Sequence, residues 1–384
     1  MKNIIIAVLF GLGFVGARLT AGELEKGFIH PPASARPWVY LFPLDGNITS
    51  NGITADLEAM ARVGIGGVLY METDPGAPKG PARFGDPQWR GLFQHLCSEA
   101  NRLGMEVNMN NDAGWCGSGG PWITPELSMQ RVVWAETNVA GPIHFDAVLP
   151  QPKKEKDYYG DIAVFAYPTP RVKKVVPHLP GKSLAVREEI PLRTTFPALP
   201  TEALVARDKI VELTAQLGAD GRLAWDVPPG KWTILRVGHT STGKDNHPAP
   251  LEGRGLETDK FSKAATKAHF DALMGKLIAE NKPLVGKALV TTHIDSWETG
   301  TQNWTPKFRE EFQQLRGYDP LRFLPVMAGV VVDNPEISER FLWDVRRTGS
   351  ELLNEITPGI SAPSRSKMVC ACPSKPTATG RSMT

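Results

Sequence analysis

Cysteine is scarce: the 384 residues include only four. Cys370 and Cys372 fall in a C-terminal stretch set apart below, which leaves Cys97 and Cys116 in the body of the chain. Two cysteines make no disulfide framework, and no paired CxxC or HxxxH ligand set accompanies them, so a zinc cluster is not expected either. An excess of one charge is also lacking. Forty-three Lys and Arg against 41 Asp and Glu leave a formal charge of +2. No nucleic-acid or membrane-surface footprint follows from that balance, and an uncharged partner suits it better. The apolar run Ile4 to Val15 is too short to span a membrane comfortably. With Lys2 before it and Gly16, Ala17 and Ala21 after it, this run is expected to be a signal peptide covering residues 1–21, cleaved to give a secreted or periplasmic protein.

What the sequence does have is a globular composition, 41% hydrophobic and 22% charged, with room for two domains. Ten Trp residues stand out, because a flat apolar ring with a polar handle suits the face of a sugar as well as a core.

From Trp38 to Asn111 strand-like runs alternate with helices that carry start and stop signals. Val39 to Phe42 reads as a strand, Thr54 to Val63 as a helix closed by Gly64, and Gly67 to Met71 as the next strand. Asp86 caps a helix that begins at Pro87 and stops at Gly104, and Glu106 to Asn110 follows as a third strand. Between Glu136 and Val237 the helical period disappears and short alternating runs such as Ile162 to Tyr167 and Trp232 to Val237 prevail. The βα rhythm then resumes with a helix near Ser262 to Glu280, a strand at Ala288 to Thr292, and a helix from Pro306 to Arg316 capped by Thr305. The expected fold is an α/β (β/α)8 barrel, incomplete at the C-terminus and interrupted by a β-rich, sandwich-like insert. Its parts are barrel at 22–135, insert at 136–238, and barrel again at 239–355. A doubly wound sheet ranks lower, because no Gly-rich phosphate loop follows the first strand.

Three clusters carry chemistry. His293-Ile294-Asp295-Ser296-Trp297-Glu298 directly follows a strand, and acids at the carboxyl end of a barrel strand face the reaction site. Glycoside hydrolysis needs two carboxyl groups across the scissile bond, and Glu298 is the candidate for one of them. Asp295 and Trp297 join it as candidate substrate contacts. Asn110, Asn111, Asp112 and Trp115, followed by a glycine-rich turn and Trp122, leave another strand end. Their amides and carboxylate could hold sugar hydroxyls while a Trp stacks on the ring. Glu252, Glu257 and Asp259 precede a helix and could ligate a hard cation such as Ca²⁺, although acids ahead of a helix N-terminus are favourable without any function.

Taken together these segments resemble glycoside hydrolase family 106, the α-L-rhamnosidases. The resemblance runs through Ala35-Arg36-Pro37-Trp38, Gly52-Ile53-Thr54-Ala55-Asp56-Leu57, Gly64-Ile65-Gly66-Gly67-Val68, Asn110-Asn111 and Gly117-Ser118-Gly119-Gly120-Pro121-Trp122. It continues through Gly255-Leu256-Glu257, Asp295-Ser296-Trp297-Glu298, Gln302-Asn303-Trp304-Thr305-Pro306 and Arg316-Gly317-Tyr318-Asp319. It implies an interrupted barrel that removes terminal L-rhamnose from plant polysaccharides or glycosides with inversion, assisted by calcium. Glu298 matches one catalytic glutamate of that pattern. The other lies on a later strand that this sequence does not reach, so the chain as written is expected to be truncated and inactive alone, with a non-catalytic sugar-binding protein or a non-functional remnant as the alternatives.

After Glu355 the helical pattern gives way to an aperiodic run of Pro, Ser, Thr, Lys and Cys. With permitted codons chosen and two nucleotides skipped, Ile356 to Thr384 can be read as a continued helix followed by a barrel-type strand. A frameshift near residue 355 is therefore expected. Sequencing the gene across this point checks it, and an intact frame through the Thr384 codon refutes it.

Overall fold

The computed structural model describes residues 21–191 and 198–356. Residues 1–20 of the expected signal peptide and the tail from residue 357, with Cys370 and Cys372, lie outside the described residues. A short helix α1 (Ala21–Ile29) leads into the first sheet.

Strands β1 (Trp38–Leu41), β2 (Gly67–Tyr70), β3 (Glu106–Asn110) and β9 (Leu289–His293) form a four-stranded parallel sheet in that order. Helices α2 (Ser50–Arg62) and α3 (Pro87–Leu103) link the first three strands. Their ends follow the capping chemistry of the sequence. The Asp86 side chain accepts from the Trp89 amide, and Gly104 closes α3 at φ +66. Thr49 caps α2 by accepting from Gly52 N, which starts that helix four residues earlier than its apolar pattern suggested. Ile53 and Leu57 of α2, Trp89, Phe93 and Leu96 of α3, and Val68, Val107 and Met109 of the sheet share one buried cluster. Leu273, Met274 and Leu277 join it from the helical segment that runs as α5 (Lys263–Phe270), a π-turn at Asp271–Gly275, and α6 (Lys276–Glu280).

The expected barrel is not closed: among the described residues the parallel sheet stops at four strands, with β1 and β9 at its edges. Closing such a sheet takes about eight strands, and the βα rhythm of this chain supplies half that number.

Among the described residues most strands of the β-rich segment form one hydrogen-bonded antiparallel sheet. Its strands β4 (Gln130–Val148), β5 (Gly160–Pro168), β7 (Val211–Glu212) and β8 (Arg222–Ser241) are ordered β4-β8-β5-β7. The short β6 (Leu204–Val205) pairs instead with β10 (Val331–Val332). Alternation along β5 divides its side chains between two apolar clusters. Ala163, Phe165 and Tyr167 enter the cluster built from Phe308 and Phe312 of α7 (Phe308–Arg316) and Phe341 and Val345 of α8 (Pro335–Ile356), whereas Val164 and Ala166 face a smaller cluster with Leu223 and Ile234. Helices therefore cover one face of this sheet.

A buried polar knot ties the loop that precedes α5 to the stretch 302–305. Asp259 accepts from Gln302 Nε2 at 2.6 Å, Thr305 Oγ1 at 2.7 Å and Phe261 N at 2.9 Å. Asn303 accepts from Val132 N at 2.8 Å and donates to Ser183 O at 2.8 Å, so the same stretch grips β4 and the residue that follows the turn Leu179–Lys182. The hydroxyl of Thr305 is committed to Asp259 and does not cap α7, which begins at Phe308, two residues later than expected.

The turn α4 (Leu179–Lys182) is pinned to α8 by a buried ion pair between Lys182 Nζ and Glu339 Oε1, and Arg346 donates to Lys182 O at 2.6 Å. Removing one partner leaves an unpaired buried charge, whereas replacing both by apolar groups does not. Glu339→Ala is expected to destabilise the chain by about 3 kcal/mol and Lys182→Met/Glu339→Leu by markedly less. Urea denaturation of the three proteins checks this; equal losses for the single and double variants would contradict it.

Candidate active site

Strands β3 and β9 lie side by side, with Asn110 paired to His293 and Asn111 N donating to His293 O at 2.7 Å. Beyond this point the two chains leave the carboxyl edge of the sheet as the loop 111–120 and the stretch 294–300. They meet again through side chains. Trp115 Nε1 donates to Glu298 Oε2 at 2.8 Å, and Ser296 Oγ donates to Glu298 Oε1 at 2.8 Å. Glu298 itself is exposed, with one donor on each oxygen. The loops also touch through their backbones. At Gly117, which sits at φ +82, a Cβ would stand 2.8 Å from Asp295 O, so only glycine lets them approach this closely.

Asp295 is half-buried. Burial pushes its carboxyl up, but the neighbouring His293 ring and the hydrogen bond from Ser296 N outweigh this and hold it below the usual range. Ser296 N lies at 2.7 Å and His293 Nε2 at 3.6 Å. An aromatic pair borders this corner. Tyr40 and Phe42 stack with centroids 5.0 Å apart, and Tyr40 meets the His293 ring edge-on at 6.4 Å. At 49% and 43% exposed they offer an open apolar face at the end of β1. A stacking platform, a carboxylate held by two donors, and a second carboxylate kept ionised can together hold a sugar ring and move a proton at it.

The remaining residues expected at the site are placed differently. Asn110 is fully buried, and its Nδ2 donates to Asp112 O, Asp112 Oδ1 and Gly114 O. Asn111 Nδ2 donates to Gly117 O at 3.0 Å. Both amides shape the loop from inside. Asp112 is buried as well, its carboxyl driven well above the usual range by burial and then by the charge of Glu257. Trp122 turns away from Glu298: its Nε1 donates to His269 Nδ1 at 3.0 Å, and it lines a separate cavity of about 240 Å³ with Phe84, Trp89 and Glu252. Trp297 faces inward, with Lys260 Nζ 5.1 Å from its ring centroid and Phe261 edge-on to it.

Glu252, Glu257 and Asp259 are not grouped as one ligand set among the described residues. Glu252 is paired with Lys79, Glu257 with Lys260 and Ser118, and Asp259 with Gln302 and Thr305. Among the described residues no three His, Cys, Asp or Glu side chains are grouped to hold a metal.

A family model described as alpha-L-rhamnosidase, glycoside hydrolase family 106, matches residues 29–179 and 182–362. The chain belongs to glycoside hydrolase family 106. A protein of Formosa agariphila, whose given name proposes a beta-glucuronidase, is 42% identical over 355 residues, which are 92% of this chain and 30% of that protein. The solved structure of the rhamnosidase from Novosphingobium sp. PP1Y matches with a TM-score of 0.74 and 28% identity, covering 88% of this family 106 chain and 45% of the other. The chain thus spans less than half the length of either relative.

Sequence reasoning missed Tyr40, Phe42 and Ser296 at the site, and Glu72 beneath it. Glu72 follows β2 at the same carboxyl edge, so the strand-end rule applied to Glu298 would have found it. It accepts from Gly46 N at 2.9 Å, from Tyr70 OH at 3.2 Å, and from Trp89 Nε1. Its own carbonyl receives Gly114 N at 2.8 Å, so it supports the Trp115 loop. Burial pushes its carboxyl from 4.5 up to about 7, against the pull of its three donors. The folded state therefore holds a proton that the unfolded state releases, and stability falls as pH rises through that window. A loss of up to about 3 kcal/mol between pH 4.5 and 7 is expected, and Glu72→Gln should flatten it. Denaturation midpoints across pH 4 to 8 check this, and an unchanged slope in the variant would contradict it.

Proposed function

We propose that this chain contributes one catalytic carboxyl group, Glu298, to an exported α-L-rhamnosidase that removes terminal α-L-rhamnose from plant polysaccharides or glycosides with inversion. The supporting observation is the Trp115–Glu298–Ser296 constellation. An exposed carboxyl group at the end of a parallel strand is oriented from both sides and stands on the same edge as the open Tyr40–Phe42 platform. The description of the matching family, alpha-L-rhamnosidase, supports rhamnose as the sugar. Inversion requires an acid and a base on opposite faces of the ring, with room for one water between them. Glu298 takes one of these roles, and the family pattern puts its partner on a later strand. Asp295, kept ionised beside it, suits a hydroxyl contact on the sugar. The glucuronidase named in the Formosa protein is a glycosidase for another sugar, so the sugar itself is what a test must decide.

Calorimetry should show rhamnose binding to the 384-residue chain without turnover of p-nitrophenyl α-L-rhamnoside, because one carboxyl group cannot be acid and base at once. A protein extended to the length of the Novosphingobium relative should turn it over and lose at least about 10²-fold in rate on Glu298→Gln. Preference for p-nitrophenyl β-D-glucuronide, or full activity in the Glu298→Gln protein, would overturn the proposal.

A further inference from the structure

The geometry points to Trp115 as a positioning residue that confines the exchangeable proton of Glu298 to Oε1, the oxygen on the Ser296 side. This rests on Glu298 being the working carboxyl group. Oε2 receives the Trp115 indole N–H at 2.8 Å, and Oε1 lies 2.8 Å from Ser296 Oγ. An indole nitrogen can only donate, whereas a hydroxyl donates or accepts by rotation. A proton on Oε2 would take one of its two lone pairs and make it a poorer acceptor for the Trp115 N–H. A proton on Oε1 asks only that the Ser296 hydroxyl turn from donor to acceptor. One oxygen is therefore locked, and the other can load and unload a proton.

Trp115 can impose this because its own place is fixed. Gly114 N donates to Glu72 O at 2.8 Å, Trp115 N donates to His247 O at 3.3 Å, and Gly117 packs on Asp295 O. The constraint reaches Glu298 from a loop 183 residues away in sequence, while Ser296 is only two residues away. Whichever role Glu298 takes, Oε1 is the atom that gives a proton to the glycosidic oxygen or takes one from water. The other titratable or charged groups around this stretch include His293 and Asp295 on its own strand end, Tyr40 on β1, Lys260 against the Trp297 ring, His247, whose carbonyl accepts from Trp115 N, and Lys244, whose Cε would lie 3.9 Å from a Cβ on Gly300.

Indole N–H resonances of the ¹⁵N-labelled chain test this without substrate. The Trp115 peak is the one that disappears in Trp115→Phe, and unchanged positions for the other indoles show that each variant is folded. Its position should respond to pH, keep its hydrogen-bonded value at both ends of the titration, and lose the response in Glu298→Gln. A peak that moves to the free-indole position at the acid end would show that Trp115 lets go when Glu298 is protonated, which overturns the assignment. A peak blind to both pH and Glu298→Gln overturns it too. If the peak behaves as expected but rhamnose does not bind, the proposed function fails and the positioning role stands.

Discussion

The polar knot around Asp259 is the constraint on which the other parts depend. Amides, a hydroxyl and a carboxylate bond to one another here, beside the apolar cluster that holds Val132, Phe261 and Trp304. Asp259 alone receives three donors while fully buried, and burial still lifts its carboxyl from 3.8 to about 6. Such a network is stabilising only while every member is satisfied, because a buried polar group left unpaired costs more than the bond it makes gains. Satisfying it fixes the path of the chain from Gln302 to Thr305, and Glu298 lies only four residues upstream. The catalytic candidate thus lies between the end of its own strand and this buried network.

Much of this architecture was legible because it is local. Asp86, Pro87 and Gly104 state the ends of α3 in their own chemistry, and β3 has the bounds that its residues suggest. The placement of Glu298 followed from one rule about strand ends. What was not legible is long-range or directional. Asn110, Asn111 and Asp112 have the composition of a sugar-binding rim, yet their side chains turn back to close their own loop, and composition carries no direction. Trp115 and Trp122 stand seven positions apart in the same glycine-rich stretch, but one reaches Glu298 and the other reaches His269. Thr305 looked like a helix cap because caps are read from neighbours in sequence, whereas its partner Asp259 comes from another loop.

The comparisons and the geometry speak to different levels of function. Membership of family 106 gives the scaffold. The two relatives carry names for different sugars, and both are much longer than this chain. What the chain itself displays is a carboxyl group gripped by two donors of unequal chemistry beside an aromatic platform. These features concern how a proton and a ring are held, and they are compatible with a change in the sugar hydroxyls being read.

The four-stranded parallel sheet has a further consequence, for handling the protein rather than for its chemistry. Among the described residues β1 and β9 each present a row of backbone N–H and C=O groups on their outer side. Trp38 and Tyr40, at 36% and 49% exposed, lie along the β1 edge. Such an edge is a template for any other strand of suitable register, including that of a second molecule. A formal charge of +2 supplies little repulsion to keep copies apart. The solubility of this chain is therefore governed by what covers its two open sheet edges, and its yield on refolding should fall as concentration rises.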